Sequence, residues 1–153
     1  MVDDGARYDV RHDPQEVQTL VLPASGWLLQ WRSDACWREV QAEQYQAELD
    51  GMHQPMEEYE WVPWSGTYHP GGRGGGRWDG TATWWLLRGE LPDGAWPEVV
   101  LADGQHPPIL HVGKVWACEW VSPAQPATLR LGAEEHIAPF AEPLHRRHHR
   151  QRS

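Results

Sequence analysis

The sequence predicts an α+β domain dominated by strands: a bent antiparallel sheet, small sandwich or partly open barrel carrying one principal helix at about 34–50. Three observations point there. Short β-branched and aromatic runs recur between Gly- and Pro-bearing turns. A single long stretch is free of both Gly and Pro. Eleven tryptophans occur in 153 residues. The tryptophans matter because Leu, Ile, Val and Phe total only 27, about 18% of the chain, at a net charge of −9. That composition leans toward disorder. Each Trp, however, buries on the order of 200 Å², so a few large rings replace many leucines as core material.

The elements follow in order. Residues 1–16 are polar and acidic, with Asp13-Pro14 as a turn or helix start. Thr19-Leu20-Val21-Leu22 reads as a strand closed by Pro23 and the Ser25-Gly26 turn, and Gly26-Trp27-Leu28-Leu29-Gln30-Trp31 as its hairpin partner. From Asp34 to Asp50 the chain turns to Ala, Glu and Gln; Ser33 or Asp34 serves as N-cap and Gly51 stands where a C′ glycine belongs, which predicts the helix. A strand there would put Glu39, Gln41 and Glu43 on one face with Trp37. Beyond it, residues 58–62 alternate with period two, and 81–87, 98–101, 109–112, 115–121 and 127–131 are further strands, divided by Pro92-Asp93-Gly94, Asp103-Gly104 and Pro107-Pro108. Residues 1–143 read as one globular domain.

Charge narrows the partners. Residues 144–153 carry four Arg and no carboxylate, leaving −13 on the remainder. This tail is expected to be a solvated, disordered end. An acidic body argues against binding nucleic-acid backbone, which needs a basic face. No apolar run reaches the ~20 residues that span a bilayer. The acidic start lacks the basic and apolar regions of a secretory signal, so a cytoplasmic location with two buried thiols is expected. Cys118 falls in a strand and is assigned to the core; Cys36 sits beside the expected helix start, where a thiol is more easily ionised, but no His partner is identified for it and it is expected to be buried and inert.

Motifs for chemistry are weak. There is no Gly-x-Ser-x-Gly elbow, Cys-x-x-Cys or His-Glu-x-x-His, and no cofactor or metal is expected. His12-Asp13 and the trio His145, His148 and His149 lack supporting ligands or partners. The densest aromatic stretch, 59–85, holds Tyr59, Trp61, Trp64, Tyr68, Trp78, Trp84 and Trp85 around the loop His69-Pro70-Gly71-Gly72-Arg73-Gly74-Gly75-Gly76-Arg77. The aliphatic deficit assigns most rings to the core, with Trp64, Trp78 and Trp96 left for the surface because they adjoin turns. Two functions are compatible with this. In the favoured one the chain is a non-catalytic interaction module of accessory, inhibitor or assembly-subunit type, using exposed Trp anchors on an acidic body to hold another protein. In the other, an aromatic pocket built from Trp61, Trp64, Tyr68, His69, Trp78, Trp84 and Trp85 binds a small anionic or aromatic ligand. The 71–76 loop closes over it, and Arg73 and Arg77 act as an anion clamp.

Overall fold

The computed structural model describes residues 16–51, 61–66, 70–76 and 79–140. They form eleven strands and one helix, a β-dominated α+β fold in three antiparallel sheets. Contacts divide the chain into two compact units. The first comprises Met1–Leu22, Gly26–Ser65 and His111–Val115; the second comprises Pro23–Ser25, Gly66–Leu110 and Trp116–Ser153. No described helix is long and apolar enough to cross a membrane.

In the first unit, β1 (Val17–Leu22), β2 (Trp27–Arg32), β3 (Cys36–Gln41) and the two-residue β4 (Val62–Pro63) form a meander in that order. The β1–β2 hairpin turns at Gly26, whose φ of 77° is open to glycine and strained for other residues, and whose N–H donates to the Leu22 carbonyl. Thr19, Gln30 and Arg38 stand opposite one another across three strands, and so do Val21, Leu28 and Val40. The other face carries Leu22, Leu29 and Trp37, all buried. There the Trp31 ring lies against Gly113, leaving no room for a β-carbon.

The expected helix at 34–50 is half strand. Residues 36–41 are β3, and only Ala42–Leu49 is helical, as α1. Trp37 does share a face with Glu39 and Gln41, the arrangement that made a strand look unfavourable. What overrides it is burial on both faces of an inner strand: Arg38 and Val40 are as hidden on one side as Trp37 is on the other. The helix itself has no buried residue and no side-chain cap. Eight residues are too few to hold a helix in water unaided. An ion pair fastens it instead, Arg38 Nη2 donating to Glu48 Oε1 at 2.9 Å with both side chains under a tenth exposed.

The second unit is a sandwich. One sheet has the order β5 (Gly71–Gly74), β6 (Thr83–Glu90), β9 (Val115–Ser122), β8 (Leu110–Val112). The other has β11 (Glu134–Ala138), β10 (Ala127–Leu131), β7 (Pro97–Leu101). Trp85 and Leu87 from β6 and Trp116, Cys118 and Trp120 from β9 meet Val99, Leu101, Ala127 and Leu129 from the second sheet in one core. Trp85 is buried to 1% exposure and spends its indole N–H on the Ser122 carbonyl at 2.7 Å. Phe140 closes the core's edge, 5.2 Å from the Trp85 ring and 5.7 Å from that of Trp120.

Cys118 is a free buried thiol, as its strand position led one to expect. Cys36, also free, is half-buried and opens β3 rather than a helix.

Candidate functional site

Of the nine residues singled out above, five lie among the described residues. Tyr68, His69, Arg77 and Trp78 lie outside the described residues, as do Tyr59, His12, Asp13 and the tail at 144–153. The other five fall in different units, Trp61 and Trp64 in the first and Arg73, Trp84 and Trp85 in the second.

Two guanidinium groups lie over the Trp61 ring. Arg32 Cζ lies 4.6 Å and Arg38 Cζ 5.0 Å from its ring centroid. Both arginines also bind carboxylates. Arg32 grips Asp34 through two hydrogen bonds of 3.0 and 2.7 Å, which hold the Asp34 carboxyl below the usual carboxylate range. Trp61 therefore serves as a plate that aligns two ion pairs, each cation gaining from the ring face. Trp64 is half-buried under Lys114, whose ammonium stands 4.7 Å from the ring. Its indole N–H is buried and meets no acceptor among the described residues.

In the second unit, Trp85 is core and Trp84 half-buried. The glycine run holding Arg73 is not a loop over its first four residues: Gly71–Gly74 is edge strand β5, paired antiparallel with β6. Register explains how so bare a strand is held. Gly74 stands opposite Trp85, whose ring covers it so closely that a β-carbon there has no space. A β-carbon on Gly72 would come within 2.8 Å of the Phe140 ring. The neighbours supply the side chains that β5 lacks. Arg73, opposite Leu86, projects from the other face of the strand.

On the inner face of β5 lies a groove of about 230 Å³. Its floor is Leu87 and Leu129, both buried. Gly71 and Gly72 form one wall and His136 and Ile137 of β11 the other. The groove thus opens at the mouth of the sandwich, between the edge strand of one sheet and the edge strand of the other. His136 stands opposite Leu129 in the β10–β11 register, so it belongs to the inward-facing row at the rim. Its Nε2 is 3.3 Å from Glu134 Oε1. Ile137 is 68% exposed.

Outside the glycine run, none of the groove residues stands out in the sequence. Leu87, Leu129 and Ile137 are ordinary strand residues in the sequence, and what joins them is the packing of one sheet on another. The glycines were noticed, but for conformational freedom rather than for the space left by missing side chains. Among the described residues no cluster of His, Cys, Asp or Glu is arranged to hold a metal ion. Compared with protein-family models, curated proteins and solved structures, the chain finds no match.

Proposed function

We propose that this chain is a protein-interaction module whose second unit receives an extended segment of another protein, one bulky apolar side chain of that segment filling the groove. The supporting observation is the groove's position: an apolar floor at the mouth of a sandwich, between two edge strands. At about 230 Å³ it is smaller than the usual site for a drug-sized molecule and suits a single Leu, Phe or Trp side chain. The strands beside it, β5 and β11, are sheet edges, and edge strands pair readily with extended peptide backbone. Apolar anchoring in a pocket combined with backbone pairing is an economical way to bind a partner strand. This keeps the interaction reading but moves the anchor, from tryptophans projecting outward to a partner's side chain pointing inward.

A displayed library of random extended peptides, panned on the full chain, tests it. Selected binders should share one large apolar residue. His136→Trp, which fills the groove from its rim, should weaken them about tenfold or more, while Ile137→Asp should impair the β11 edge. Both positions are exposed, so melting should move by only a few degrees. Binders with no shared apolar residue, or binding indifferent to both substitutions, would sink the proposal.

A further inference from the structure

The two edge strands beside the groove differ in charge. On β11, Glu134 and Glu135 are both exposed, Glu134 in the inward-facing row with His136 and Glu135 on the outer face, bonded to Arg130. β5 has no carboxylate, and its Arg73 is exposed.

One bond fixes the backbone direction on β5. The Gly75 N–H donates to the Trp84 carbonyl at 3.0 Å, and Gly75 continues the register that sets Gly71 opposite Arg88 and Arg73 opposite Leu86. Bonding residues alternate along an antiparallel strand, so residues 71, 73 and 75 turn their N–H and C=O groups to β6. Gly72 and Gly74 turn theirs to the open side, where no described strand pairs.

Side chains alternate with the same period. A segment laid along that side puts the residue opposite Gly72 on the inner face, where Gly72 walls the groove. Its two chain neighbours then lie on the outer face, opposite Gly71 and Arg73. Each meets a guanidinium. One is that of Arg73; the other is that of Arg88, which covers Gly71 so closely that no β-carbon fits there. Both neighbours face an arginine whichever way the segment runs.

We infer that the segment received at β5 carries an acidic residue on each side of its apolar anchor, the anchor in the groove and the two carboxylates on Arg73 and Arg88. This deepens the reading given above and rests on it. Charge selects the edge: carboxylates are drawn to β5 and repelled by Glu134 and Glu135 on β11. Charge also disfavours a second copy as the occupant, because two β5 strands side by side bring arginines together. At physiological salt, exposed charges more than about 8 Å apart are largely screened, so the local guanidinium groups outweigh the net charge of −9.

Two dye-labelled peptides of identical composition and charge test the pattern, Thr-Thr-Thr-Asp-Phe-Asp-Thr-Thr-Thr and Thr-Thr-Asp-Thr-Phe-Thr-Asp-Thr-Thr. In the second, each Asp moves one place and so to the inner face, toward the apolar floor and Glu134. Fluorescence anisotropy with the full chain should show the first binding about fivefold tighter or more, the gap narrowing at high salt. Arg73→Glu should abolish that preference, and because the position is exposed, melting should move by only a few degrees. Equal affinity for the two isomers, or a preference that survives Arg73→Glu, would overturn the inference and leave the groove reading standing. Failure of both to bind, together with a neutral peptide holding Phe among threonines, would overturn the two together.

Discussion

Arg38 carries a charge into the first unit and is surrounded on every side that matters. Gln30 accepts from its Nε, Glu48 binds its other nitrogens, and Trp61 lies against its plane. Gln30 is itself held, donating to Thr19 at 3.0 Å. Removing one partner of a buried ion pair strands the other, at about 3–5 kcal/mol. Glu48→Ala should therefore lower the unfolding free energy by about 3 kcal/mol and loosen α1, seen as faster amide exchange across 42–49. Replacing Arg38 and Glu48 together with leucine should recover most of that loss; a double variant as unstable as the single one would refute this account. Cys118 gives a pH-dependent case. Burial, with the Glu119 carboxylate adding to it, pushes its thiol from about 9 up to about 12. A folded-state value above the unfolded one means that protonation favours the fold. The benefit is complete below pH 9 and is lost as pH rises from 9 toward 12. The advantage of wild type over Cys118→Ala in urea unfolding should narrow above pH 9, by at most about 1.4 kcal/mol per pH unit. At pH 8 an alkylating reagent should leave Cys118 untouched until the chain unfolds.

Among the elements, the tight β2–β3 connection shows where local reading failed. Ala35 sits at φ 66°, a left-handed conformation that costs an L-residue about 1–2 kcal/mol. Ser33-Asp34-Ala35 has none of the glycine that announces such a turn, so the chain there looks like the start of a helix. Tertiary bonds hold the turn instead: the Ala35 N–H reaches the Arg32 carbonyl, and its own carbonyl accepts from Trp64. Ala35→Gly should relieve the strain and raise stability by about 0.5–1 kcal/mol, less than the full strain because glycine is freer when unfolded. A lower melting temperature would mean that the turn is not strained. Other elements were readable where local chemistry agreed with the fold. The first hairpin, with its Ser25-Gly26 turn, and the strands at 97–101, 110–112, 115–122 and 127–131 emerge close to where turn residues and β-branched runs put them.

Across the whole molecule, the aliphatic deficit was an informative number. Of the ten described tryptophans, Trp37, Trp85, Trp116 and Trp120 are buried, five are half-buried, and only Trp96 is exposed. Rings do replace leucines in both units. Strand order and the division into two units were not legible, because they depend on pairings between residues far apart in sequence that periodicity does not encode. The groove was hidden for the same reason. Of the aromatic stretch at 59–85, Trp61 and Trp64 belong to one unit and Trp84 and Trp85 to the other.

The glycine strand β5 has an implication for how this sequence can vary. Gly-Gly-Arg-Gly resembles filler, the sort of run that drifts freely between relatives. With the Trp85 ring over Gly74 and Phe140 over Gly72, any larger residue must displace an aromatic ring that the core needs. The plainest stretch of the chain is thus among its least replaceable.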